Sequence, residues 1–229
     1  MATRWVNVFL VLGYLPLMGQ QPIATVQGEP ENLYQVKQQL IQYYGCQESN
    51  CYVPQLEKQA DVAIGFLRHS VTDAKPGEKL AIVLDIDETA LSNWTVEMLD
   101  DFGYIPNDQN SCVTLHCARA IAATLRVFRE AEKNKVAVFF ITGRPETQQK
   151  DTEANLRIEG YDHWEKLYLR PLNHPANQSV TDYKSGDRAD IVSMGYRIVL
   201  NVGDQMSDLQ GNPMADHSVK MPNPFYYIP

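Results

Sequence analysis

What the chain lacks narrows it first. It has no basic excess: 20 lysines and arginines stand against 28 aspartates and glutamates, for a net charge of −8. A general nucleic-acid binder wants a basic face, so that class is set aside, although a local cluster of cations can still hold a small anion. No apolar run is long enough to span a bilayer. Cys-x-x-Cys spacing is missing; the 4 cysteines fall as two close pairs, Cys46/Cys51 and Cys112/Cys117. His116 beside Cys117 is a lone imidazole, which disfavours a metal site built on these residues. Internal repeats and low-complexity segments are absent. With 229 residues, 44% hydrophobic and 21% charged, the chain has room for one sizeable domain and an insertion, and hardly for two full domains.

The N-terminus has the order of an export signal. Arg4 supplies one positive charge, and Trp5 to Met18 is apolar except for Asn7. A buried N-terminal helix or strand is the competing reading. The expectation is a signal over residues 1–28, with cleavage between Gly19 and Gly28, and a domain over 29–229. No cysteine stands before Cys46, so a lipid anchor is not expected and no stable membrane anchor is assigned. The destination is the periplasm or the secreted fraction. In an exported chain an even cysteine count suggests disulfides, and of three connectivities the local Cys46–Cys51 and Cys112–Cys117 loops are favoured.

Periodicity gives the frame. Glu31 to Tyr44 and Pro54 to Val71 carry apolar residues at helical spacing, two N-terminal helices before any strand. Lys79 to Leu84, Val136 to Ile141, Leu167 to Leu169 and Tyr196 to Val202 read as buried strands. Between them, Val113 to Lys133, Pro145 to Glu159 and Thr181 to Met194 read as helices. Strands alternating with helices predict an α/β fold: a parallel sheet with right-handed crossovers and flanking helices. Leu91 to Ser111 is irregular, with Trp94, Met98, Phe102 and Tyr104 among acidic and amide residues. The segment of about 91–117 is taken as a small cap insertion over the sheet edge, with a surface excursion whose aromatics plug the core as the equal alternative.

Chemistry collects where the strands stop. Asp85 and Asp87 follow the first strand, Thr142 the second, and Asp204 with Asp208 the last, with Lys184 in the helix before it. Parallel strands bring their carboxyl ends to one edge, where ligands bind. Carboxylates gathered so closely call for a hard divalent cation, and magnesium fits best. Such a site suits phosphoryl transfer. Asp85 is the candidate nucleophile and Asp87 the candidate general acid and base. Thr142 and nearby backbone N–H groups hold the phosphoryl group, and Lys184 balances charge. Asp204 binds the metal, and Asp208 joins it or supports Lys184.

These motifs carry a resemblance. Asp85-Ile86-Asp87-Glu88-Thr89 with Leu91-Ser92-Asn93 resembles the first motif of haloacid dehalogenase superfamily phosphatases, in particular acid phosphatases of the class B/C and plant vegetative-storage type. Phe140-Ile141-Thr142-Gly143-Arg144-Pro145-Glu146 is similar to their second motif. Tyr183-Lys184-Ser185 with Arg188 matches the third, and Asn201-Val202-Gly203-Asp204-Gln205 with Ser207-Asp208-Leu209 the fourth. The tail Pro222-Asn223-Pro224 is similar too. The resemblance covers roughly residues 79 to 229. It implies a Rossmann-like core, magnesium dependence and hydrolysis of phosphomonoesters. It also implies that Asp85 and Asp204 ligate the metal, with Asp87 giving its backbone carbonyl. Thr89, Asn93, Gly143 and Arg144 are taken as candidate phosphate- or substrate-binding residues. Ala90 and Met206 depart from the pattern, and the cap follows none.

The expected function is therefore an exported acid phosphatase acting through an aspartyl-phosphate. Its substrate would be a nucleotide, sugar phosphate or aryl phosphate. Nucleoside monophosphates are one such class, with Trp94 or Tyr104 stacking on a base; for either residue alone, filling a small core of the cap itself is the favoured alternative. A storage or binding protein on the same fold is the alternative, and the presence of Asp85 counts against it. A phospho-receiver would not explain Asp87 or Asp208.

Overall fold

A computed structural model describes residues 28–175 and 177–228. The chain divides into Met1–Asn32 and Leu33–Pro229. Of the first unit Gly28 to Asn32 are described, without helix or strand. The export-signal expectation lies outside the described residues. Every described helix and strand belongs to the second unit.

Two helices come first, α1 (Leu33–Gly45) and α2 (Tyr52–Thr72), joined across the Cys46–Cys51 disulfide. Next come β1 (Lys79–Leu84), β2 (Leu91–Ser92), α3 (Trp94–Leu99), α4 (Pro106–Thr114), β3 (Arg119–Ala120) and α5 (Ala122–Lys133). The rest of the chain supplies β4 (Ala137–Pro145), α6 (Gln149–Ile158), β5 (Lys166–Arg170), α7 (Val180–Ser193), β6 (Tyr196–Gly203), α8 (Met206–Leu209) and β7 (His217–Lys220). The main sheet runs β5-β4-β1-β6-β7, and every pairing in it is parallel.

β1 is central because its side chains serve both faces. Leu80, Ile82 and Leu84 join one core with Leu56, Ala60, Ala63 and Leu67 of α2 and Val127, Phe128 and Ala131 of α5. Ala81 and Val83 join the other with Phe139, Ile141, Ile198 and Ile191 of α7. That alternation is the two-residue period of a strand covered on both sides.

Two expectations are corrected. Val113 to Lys133 is not one helix. α4 stops at Thr114, His116 turns with φ 52, Cys117 is bonded to Cys112, and Ile121 donates its amide to the Ala90 carbonyl before α5 begins. The apolar spacing there belongs to two helices broken by a disulfide-closed turn. Secondly, β4 continues through Thr142, Gly143 and Arg144, because Pro145 still pairs with Arg170 of β5 across an irregularity in the register. The helix expected from Pro145 begins only after a 3-10 turn, Glu146–Gln148. Of the two readings of Trp94, the structure agrees with the favoured one, an aromatic that fills a small core. Its ring stacks on Tyr44 of α1 with centroids 3.6 Å apart and packs beside Phe102 and Phe225. β7 has no counterpart among the expected strands, since its four residues carry one buried side chain, Val219.

β2 and β3 pair antiparallel as a two-stranded ribbon. From it α3 and α4 project as the segment between the catalytic loop and the rest of the sheet. Both cysteine pairs are disulfides, with Cα atoms 5.6 and 5.0 Å apart.

Candidate active site

The turn after β1 is held from within. The Ile86 carbonyl accepts the amides of Thr89, Ala90 and Leu91, while Glu88 takes a left-handed φ of 55. The Glu88 carboxyl group lies fully buried, accepting the Asn93 amide at 2.6 Å and the Tyr52 hydroxyl at 3.3 Å. Burial pushes it up to about 8. The turn presents Asp85 and Asp87 side by side at the sheet edge.

Lys184, in the first half of α7, reaches this edge from below. Its ammonium donates to Asp85 Oδ1 at 2.7 Å and also to Asp208 Oδ1. All three groups are buried. For Lys184 the desolvation that would lower its pKa is outweighed by the two carboxylates, so it stays charged. Asp85 moves the other way: burial raises it well above the usual carboxylate range, Lys184 opposes this, and Asp208, Asp204 and Asp87 add to it.

Asp87 is placed differently. Arg144 donates to it from Nε at 3.1 Å to each oxygen and from Nη2 at 2.6 Å, and Asn93 Nδ2 adds a bond at 2.8 Å. Burial pushes Asp87 up, but the guanidinium and these hydrogen bonds hold it below its ordinary value. Arg144 and Asn93 thus grip Asp87 and leave little capacity for a ligand. Thr142 is fully buried; its Oγ1 accepts the Arg144 amide at 3.2 Å and its carbonyl accepts the Tyr183 hydroxyl at 2.6 Å. Gly143 is exposed at the same edge and lines the catalytic cavity.

The end of β6 completes the group. A β-carbon on Gly203 would lie 2.6 Å from Asp208 Oδ2, so only glycine lets α8 begin this close to the strand. Asp208 Oδ2 accepts the Gln205 amide at 2.8 Å, half of a capping box. Asp204 accepts Thr89 Oγ1 at 2.9 Å, Gln205 Nε2 at 2.7 Å and Asn223 Nδ2 at 2.7 Å. Thr89 therefore stands against Asp204 rather than in the open cavity. Below, the fully buried Arg188 donates to the backbone carbonyls of Asp208, Gln210 and Pro213, fixing the loop that carries Asp208. Tyr183, Glu88, Gln205 and Asn223 have no assigned role in the sequence reading, although each stands inside a motif that carries the resemblance.

Carboxylate oxygens of Asp85, Asp204 and Asp208 all lie within 4.8 Å of one another. Three buried acids face one lysine, and the donors are hard oxygens; the set fits a divalent cation such as magnesium. Asp85, Asp87, Lys184, Asp204 and Asp208 line a cavity of about 660 Å³. The cap adds Glu97, Tyr104 and Gln109, and the tail adds Tyr226 and Tyr227.

Residues 22–229 match the family model described as HAD superfamily, subfamily IIIB (acid phosphatase). The chain belongs to that family. Among subfamily relatives, acid phosphatase 1 of Solanum lycopersicum is 38% identical over 154 residues, 64% of this chain and 58% of that protein. The stem 28 kDa glycoprotein of Glycine max is 35% identical over 162 residues, 68% of this chain and 63% of that one. This chain thus spans about three fifths of the length of the curated relatives it matches. The class C acid phosphatase of Bacillus anthracis superposes with a TM-score of 0.68 at 22% identity, over 84% of this chain and 86% of the other; at that identity the likeness speaks to the fold.

Proposed function

We propose that this chain is an exported, magnesium-dependent acid phosphatase that hydrolyses small phosphomonoesters through an aspartyl-phosphate on Asp85. The observation that carries the reading is the buried Lys184 ammonium bridging Asp85 and Asp208, with Asp204 completing a compact acidic cluster at the cavity floor. Asp85 attacks phosphorus with the oxygen not bonded to Lys184. The ester oxygen departs with the bonding pair and takes a proton from the protonated fraction of Asp87, which Arg144 keeps small near neutral pH and which grows as the pH falls. Water then attacks the aspartyl-phosphate, gives its proton to Asp87 and releases inorganic phosphate. Lys184 holds the orientation of Asp85 and offsets phosphoryl charge. The Arg144 and Asn93 bonds aim Asp87 at the leaving oxygen.

Asp85, Asp204 and Asp208 would hold the cation, which when bound supplies the positive charge that ionises Asp85 and neutralises phosphoryl oxygens. The backbone N–H groups near Thr142 and Gly143 are the candidates for the phosphoryl oxygens. Two disulfides agree with export. Among the described residues no helix is long and apolar enough to cross a membrane. A nucleotide remains a candidate substrate through Tyr104, without Trp94. The complete acidic and cationic set argues against a storage or binding role without turnover.

The test is hydrolysis of p-nitrophenyl phosphate from pH 4 to 8 with magnesium present. Turnover that chelation abolishes and magnesium restores supports the reading. Flat low rates across aryl, sugar and nucleoside phosphates would favour the storage role instead.

A further inference from the structure

The catalytic cluster leaves one enclosed charge in the cavity unused. Glu97 on α3 is 6% exposed and lines the cavity. Gln109 of α4 is hydrogen-bonded to it, and among the described residues no lysine, arginine or histidine forms an ion pair with it. The other cavity charges are accounted for: Lys184 serves Asp85 and Asp208, Arg144 serves Asp87, and Asp204 belongs to the cation cluster. Arg170 also lines the cavity, but it is exposed to solvent. A solvated guanidinium asks little of a ligand, whereas an enclosed carboxylate without a cation is costly until a donor reaches it.

Position gives the carboxylate a role. Glu97 lies four residues after Asn93, whose side chain bonds Asp87. The Glu97 amide also donates to the Asn93 carbonyl, so the two residues are successive turns on one face of α3. Four residues rise about 6 Å along the axis. Glu97 therefore stands about one turn along α3 from the residue that holds Asp87, and both carboxyl groups line the same cavity.

We propose that Glu97 is a specificity-determining residue that binds an amino or ammonium group of the substrate alcohol. The inference rests on the phosphatase reading above for its leaving-group geometry. The substrate class is the phosphomonoester of an amino alcohol, with the cation seated between α3 and α4 against Glu97 and Gln109.

The experiment compares 2-aminoethyl, 2-hydroxyethyl and ethyl phosphate at pH 8, where Glu97 is ionised, with the full chain and magnesium, for the unaltered protein and Glu97→Gln. The unaltered protein is expected to prefer aminoethyl over ethyl phosphate by roughly tenfold or more in kcat/KM, as for a hydrogen bond to a charged group. Glu97→Gln keeps the shape and is expected to bring that ratio near one, with hydroxyethyl phosphate much less affected. A ratio below about twofold in the unaltered protein, or one unchanged in Glu97→Gln, overturns the proposal. If none of the three phosphates is hydrolysed, the phosphatase reading fails by itself. The same ratio is then read from their dissociation constants by calorimetry, so the two failures stay distinct.

Discussion

The strand ends and the cap face each other across one cavity and are built on different terms. At the strand ends every functional side chain is held by another. Lys184 ties Asp85 to Asp208, Thr89 ties Asp204, and Arg144 with Asn93 ties Asp87. In the cap, helices of 6 and 9 residues are joined through Asp101 and Phe102 at positive φ, and Leu99, Tyr104 and Leu115 lie exposed. Lys37 reaches over from α1 to Asp101 at 2.5 Å and Gln148 donates to Asn110 at 2.8 Å, exposed pairs of small individual worth, while Trp94 and Phe102 pack on Tyr44 and Phe225 and anchor the near side of the segment. Under the proposed function the contrast is a division of labour: reaction chemistry on the rigid strand ends, and the choice of alcohol on the segment of short helices that faces them.

If that division is right, damage on the two sides should differ in kind. The largest effect is expected at the nucleophile. Asp85→Asn should lower turnover by about 10³-fold or more with folding retained, measured with an aryl phosphate; unchanged turnover would remove Asp85 from the mechanism. Lys184→Ala should lose activity and also destabilise the fold by about 3–5 kcal/mol, because it leaves Asp85 and Asp208 buried without a cation. Denaturant unfolding of the metal-free protein reads this directly.

Gly203→Ala comes next. The new methyl group meets Asp208, and the strain should cost about 1–3 kcal/mol and displace the acid that orients Lys184. Loss of stability with full activity would mean that α8 shifts without consequence.

The cap disulfide is a milder break. Replacing Cys112 and Cys117 by alanine should cost about 2 kcal/mol, as for a short closed loop. Val113, beside Cys112, lines the cavity, so KM should rise more than kcat falls. An equal fall in kcat would tie the cap to the chemistry and erase the contrast.

The smallest effect is a pH slope. Burial raises Glu97 from its ordinary 4.5 to about 7, Gln109 opposes this, and Asp100 and Asp87 add to it. The folded state therefore holds this proton more tightly than the unfolded chain. Its contribution to stability is complete below about pH 4.5 and is lost as pH rises through 7. Melting temperatures of the metal-free protein from pH 4.5 to 8 should fall less steeply in Glu97→Gln than in the unaltered chain.

Local pattern carries much of this molecule. The β1 run ending on Asp85 and Asp87, the strands before Thr142 and Asp204, and the helix bearing Lys184 are each legible, since buried strands and amphipathic helices write their periods within a few residues. The single helix expected from Val113 to Lys133 fails because apolar spacing does not register a turn closed by Cys112–Cys117. Trp94 left two readings open, ligand and core, because exposure and burial of an aromatic look alike in a short irregular segment.

What the sequence alone determined was which groups stand at the strand ends and hence the class of chemistry. Tertiary structure decided who holds whom. Arg144 meets Asp87 across 57 residues, and Thr89 meets Asp204 across 115. Asn223 arrives from the tail, and Glu97 faces the cavity from the cap. Such pairings depend on the order of strands in the sheet and on how a short insertion folds back over it. Neither is written in any local period, because the energy that fixes them comes from burying groups distant in the chain against one another.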